Sequence, residues 1–171
     1  MSKVRMAIES LRAEWGHPRD ALHRGRKCPF SLACRFAIEP MDVSVRHSLE
    51  LPDSVLEFWR ITRHAVLFED QDYGQWGLEI LGPTEALQAT TRQRVARPQD
   101  FTACDLVLGR FLGDSDILVI ACDPDRSNFG SVMIGLPIDR RCSWPTVASS
   151  FGEFLVRFVE AQGDKYWEAG T

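Results

Sequence analysis

The sequence predicts an α+β fold, an antiparallel meander sheet of about five or six strands with helices packed at its N- and C-terminal ends. Three observations predict it. Short apolar runs separated by Gly-, Asp- and Ser-rich turns fill residues 64–136, a stripe with helical period opens the chain, and a capped amphipathic stretch closes it.

The first helix is expected from Ser2 to Trp15, because Val4, Ile8, Leu11 and Trp15 fall at i, i+4, i+7 and i+11 and Gly16 and Pro18 stop it. His17 to Lys27 has no apolar period and reads as a solvated loop or mobile arm. Residues 1–40 are therefore divided off as a helix plus basic arm or linker, and 41–171 as the α+β domain, so residues 1–27 are expected to be dispensable for folding. Residues 41–51 fit two readings: Val43, Val45, Leu49 and Leu51 suit a strand, whereas Met41, Val45 and Leu49 suit a helix face. Pro52 and Asp53 then start a short buried helix to about residue 63.

His64–Glu69 and Trp76–Leu81 flank the turn-rich D-Q-D-Y-G-Q and read as a hairpin, with Trp76, Leu78 and Ile80 on one face. Trp76 is expected in the core and Tyr73 exposed. A short helical segment through about Gln88 follows, with Thr84 as N-cap. Leu106–Phe111, Ile117–Cys122 and Ser131–Leu136 are the remaining strands. Ser150 with Glu153 forms a capping box, and Phe151, Phe154, Leu155, Phe158 and Val159 make the apolar face of a last helix that ends at Gly163. On its outer face Glu153 and Arg157 are spaced to pair at i, i+4.

The 171 residues, 44% hydrophobic and 26% charged, are those of a soluble globular chain of one domain's size. The longest apolar run, Ile117–Cys122, is far below the roughly 18–20 residues that span a bilayer, and residues 1–30 lack a signal peptide's apolar core, so cytoplasmic residence is the expectation. Charge is uneven. Residues 1–35 hold eight Lys/Arg against three Asp/Glu (+5), and 36–171 hold twelve against twenty-one (−9), so the body repels nucleic acid and attracts a basic protein.

No chemical motif stands out. Asp123-Pro-Asp125 opens a stretch resembling a calcium loop, but Asn128 and Ile134 stand where Gly and Glu are needed. His17, His23, Cys28 and Cys34 match no zinc spacing, and the five scattered cysteines imply no disulfide framework. Asp114 and Asp116 lack an accompanying nucleophile, and no GxSxG, P-loop, HExxH or GxGxxG occurs. Neither a catalytic set, a metal site nor a cofactor is expected.

L-P-D-S-V-L-E-F-W (51–59), W-G-L-E-I-L-G-P-T-E-A-L (76–87), L-G-R-F-L-G-D-S-D-I-L-V-I-A-C-D (108–123) and V-A-S-S-F-G-E-F-L (147–155) together resemble the SUKH superfamily, the Smi/Knr-type proteins, over residues 41–162. The resemblance implies a non-enzymatic protein-binding domain. Many bacterial members are immunity proteins that neutralise a toxin, and fungal relatives regulate cell-wall synthesis. A basic toxin domain, with nucleases foremost, is the expected partner, held by carboxylates on turns: Glu69, Asp70, Asp72, Asp114, Asp116, Asp123 and Asp125, with Tyr73 beside them. Asp100 lies outside those clusters and is expected to be an indifferent surface carboxylate. A regulatory scaffold without a toxin and an uncharacterised enzyme remain the alternatives.

Overall fold

A computed structural model describes residues 1–37, 39 and 49–170; the helix-or-strand question over 41–51 falls, for 41–48, outside the described residues. Helix α1 (Lys3–Trp15) starts at Ser2, whose hydroxyl accepts the Arg5 N–H, and buries Val4, Ile8, Leu11 and Trp15 as its period requires. The stripe packs on α4 (Phe151–Glu160) and α2 (Asp53–Ile61). Helix α1 is thus built into the core and not appended to it, so residues 1–27 hold core residues rather than a dispensable extension.

The arm reading of 17–27 is overturned. Arg19 bridges Leu32, Ala21 and Cys28 are buried, and β1 (Leu22–His23) pairs with β2 (Arg26–Lys27) around Arg24 and Gly25, both at positive φ. This hairpin is anchored on the turn after α4, where Leu22 N–H donates to Gln162 Oε1 at 2.7 Å and Arg24 donates to Asp164 Oδ2 at 3.0 Å. Polar anchors so distant in sequence leave no apolar period to read.

The main sheet has seven antiparallel strands whose spatial order is the chain order: β3 (Leu32–Phe36), β4 (Ala65–Asp70), β5 (Leu78–Ile80), β6 (Asp105–Phe111), β7 (Ile117–Ala121), β8 (Val132–Gly135) and β9 (Thr146–Ala148). The α+β meander therefore holds, with β3 and β9 added as short edge strands. Leu67, Leu78, Ile80, Leu106, Leu108, Leu118, Ile120 and Ile134 join the core formed with α1, α2 and α4, while Val107, Val119, Ala121 and Met133 form a smaller cluster with Phe101 and Trp144. A bulge opposite Cys34 sets Phe68 at φ 52 and lets its ring stand edge-on to Trp15 and Phe158. Gly163, at φ +82, is required there, since a Cβ would lie 2.4 Å from the Phe68 ring.

Helix α3 runs from Pro83 to Ala96, well past Gln88, with Gly82 and not Thr84 at the N-cap. Only Pro83, Ala86 and Thr90 are buried in it, so its sequence shows little periodicity. In α4 half of the expected capping box forms: Ser150 Oγ accepts Glu153 N–H, but the Glu153 carboxylate reaches back past the N-cap to the Ser149 N–H at 2.8 Å. Trp76 is half-buried and precedes β5, its Nε1 donating to Gly163 O at 3.0 Å.

Candidate functional site: the open half of the sheet

The sheet face opposite α1, α2 and α4 is covered unevenly. Loops carrying Phe101 and Trp144 close it over β6–β8. They are tied down by Arg97 on Asp100 at 2.9 Å and by Arg141 on Asp105, with both guanidiniums near the Trp144 ring. Asp100 is only 3% exposed, so it is a structural carboxylate and not an indifferent one. Burial raises its pKa, but the Arg141 N–H and the Arg97 guanidinium outweigh that and hold it below the usual range.

Towards β4 and β5 the cover stops, leaving a groove of about 860 Å³ whose wall is α3 and whose floor includes His64, Glu79, Arg110 and Ile117. Strand register builds that floor. Arg35 faces Val66, Val66 faces Glu79, Glu79 faces Arg110 and Arg110 faces Ile117 across successive strands. The Glu79 carboxylate takes hydrogen bonds from His64 Nε2 at 2.9 Å and from Arg110 Nε. Its burial pushes its pKa up, and those two donors more than offset this, so it stays ionised below the ordinary glutamate value. Arg35 pairs with Glu69 at 2.8 Å and Arg63 with Glu85 at 3.3 Å.

Two of these pairs, one at the β3 edge and one on β5–β6, share one polarity. Arg35 and Arg110 are 64% and 59% exposed while their partners Glu69 and Glu79 are 23% and 16% exposed, so guanidiniums face outward over half-buried carboxylates. Such a surface offers planar, oriented donors to a partner's carboxylates and carbonyls. No hydroxyl or thiol side chain is found among the described residues lining the groove.

The acidic turns are distributed differently from the expected cluster. Turns 71–76 and 112–116 share one end of the sheet, joined by Leu112 N–H donating to Gly77 O at 2.9 Å, whereas turn 123–130 follows β7 at the opposite end. Asp70 is 2% exposed and accepts the N–H groups of Asp72 and Tyr73, which makes it the organiser of its turn and not a contact. Asp114 and Asp116 are both bound by Lys165 Nζ, at 2.5 and 2.8 Å, and Lys165 lies over the Phe111 ring. Burial lowers the Lys165 pKa, but these two carboxylates outweigh it and hold it raised. Tyr73 is 77% exposed with Asp72 exposed beside it. Asp123 lies 3.7 Å from Arg126 and accepts the N–H of Asp125, which is exposed.

Sequence reasoning missed the groove. Glu79 and Arg110 are legible as outward residues, each between buried neighbours, but their pairing needs the β5–β6 register. Among the described residues no cluster of three or more His, Cys, Asp or Glu is placed to hold a metal, and Cys34 is engaged as acceptor of the Phe68 N–H at 3.2 Å. No described helix is long and apolar enough to cross a membrane. Comparisons with protein-family models, with curated proteins and with solved structures find no match for this chain.

Proposed function

We propose that this protein is a non-enzymatic protein-binding domain, an immunity protein of the SUKH type that neutralises a basic toxin in the cytoplasm by covering its active surface. The observation that carries the reading is the open half-face, a groove in which Glu79 and Arg110 are paired in advance across β5 and β6, with the Arg35–Glu69 pair beside it at the β3 edge. Preformed ion pairs of this kind lose little side-chain entropy on docking. The net charge of −4, with −9 over residues 36–171, draws a basic partner from a distance. At contact, Arg35 and Arg110 take the partner's carboxylates or carbonyls, and Asp72 with Tyr73 meets its cations.

The test is capture of partners from the source cell with cross-linking, comparing wild type, Arg35→Glu/Arg110→Glu and Asp125→Lys. Loss of a basic partner with the first variant, its retention with the second, and cross-links on β3–β6 support the reading. Retention with both variants, or cross-links at the 123–130 end, overturns it.

A second reading is favoured by one observation: Glu79 orients His64 as a carboxylate orients a general base. It requires His64→Ala to abolish a turnover that leaves partner binding unchanged.

A further inference from the structure

We infer that Cys104 and Cys122 are a cross-strand dithiol that closes to an intramolecular disulfide on exposure to a low-molecular-weight disulfide such as oxidised glutathione. Asp105 faces Ala121 in the antiparallel β6–β7 register, so the next residue outward on each strand places Cys104 opposite Cys122. Cys122 N–H donates to Cys104 O at 2.7 Å. Residues that face each other across antiparallel strands have Cα atoms about 4.5–5.5 Å apart, inside the roughly 4.4–6.8 Å that a disulfide spans. Both residues line one cavity of about 460 Å³ at that end of the sheet.

The two thiols differ in access, as a sequential exchange needs. Cys104 is half-exposed and Cys122 is buried. Burial, then the Asp105 carboxylate and the Cys104 thiol itself, push the Cys122 thiol up to about 12, so it is the slower, resolving partner. The Cys104 thiolate attacks one sulfur of glutathione disulfide, the S–S bond breaks, and one glutathione thiolate leaves behind a mixed disulfide. Cys122, its proton passed to water, attacks the Cys104 sulfur and expels the second glutathione. Two protein thiols are oxidised by two electrons as one glutathione disulfide is reduced to two thiols. The product fastens the start of β6 to the end of β7.

The experiment uses the full chain carrying Cys142→Ser, which removes the exposed thiol. The folded protein is incubated with oxidised glutathione, alkylated and mapped by mass spectrometry. The expected product is lighter by two hydrogens, yields a linked Cys104–Cys122 peptide, and melts about 5 °C or more above the reduced form. Adding Cys122→Ser should trap glutathione on Cys104. A glutathione adduct that persists on Cys104 when Cys122 is present, an unreacted chain, or cross-links only between chains overturns the inference.

Discussion

Arg157 Nη1 donates to the Val147 carbonyl at 2.7 Å, and the Tyr166 hydroxyl donates to the same oxygen at 2.9 Å. The pairing of Arg157 with Glu153 that the i, i+4 spacing predicts is replaced by this contact with edge strand β9, with the guanidinium 4.2 Å from the Tyr166 ring centre. Arg157→Ala is therefore not silent. It should cost about 1–2 kcal/mol in denaturant titration, for one charged hydrogen bond and one cation–π contact. A value indistinguishable from zero would return Arg157 to the role of a solvated surface residue.

Asp70 and Asp72 separate structure from recognition. Asp70→Ala leaves the Asp72 and Tyr73 N–H groups without their acceptor and should cost about 2–3 kcal/mol. Asp72 accepts the Ser31 N–H at 3.2 Å in an exposed setting, so Asp72→Lys should lower the melting temperature less than Asp70→Ala does, and should slow association with a basic partner, an effect that shrinks as salt rises. Equal melting temperatures for the two variants would contradict the assignment of Asp70.

Lys165 supplies an alkaline limit. Because its folded pKa is raised, its contribution is full below the unfolded value of about 10.4 and is lost as pH climbs through the folded value. Lys165→Met should cost about 2–3 kcal/mol near neutrality, since it leaves Asp114 and Asp116 facing each other without a cation. The gap between wild type and variant should narrow in melts above about pH 11; a constant gap rules out the linkage.

Glu79 has the opposite sign. Its depressed pKa contributes above the unfolded value of about 4.3 and is lost as pH falls through the folded one. A double-mutant cycle with Glu79→Gln and Arg110→Gln should give a coupling of about 0.5–1 kcal/mol at neutral pH, modest because Arg110 is 59% exposed. The coupling should shrink as pH falls below the unfolded value of about 4.3 and through the lower folded one; a coupling that stays constant down to the acid unfolding transition excludes a charge-dependent pair.

Removal of residues 1–16 should abolish a cooperative melt. It strips Val4, Ile8, Leu11 and Trp15 from contact with α2 and α4, and uncovers Phe68 and Phe151. A truncated chain that melts within a few degrees of the full one would show that α1 is dispensable.

What could be read from the sequence was what depends on local pattern. The stripes of α1 and α4, the Ser150 cap and the five inner strands of the meander follow from period and turn chemistry. What could not be read depends on partners distant in the chain. The hairpin at 22–27 is held by Gln162 and Asp164, α3 past Gln88 is held by its few small contacts, and the ends of the turns follow only from strand order. Counting carboxylates likewise could not reveal that Lys165 occupies two of them and that Asp70 faces inward.

The packing of α1 on α4 has a consequence during synthesis. Translation delivers residues 3–15 well before 151–160, so the apolar stripe of α1 leaves the ribosome long before its principal cover exists. At roughly 5–20 residues per second the wait is on the order of 10 s. The sheet does not share this delay, because its spatial order is its chain order and each strand finds its neighbour as it emerges. The nascent chain therefore carries a growing meander with one helix sheltered only in part, by β3 and α2, and holding factors that bind apolar helices have their target in the rest of the Val4, Ile8, Leu11 and Trp15 stripe until α4 is made.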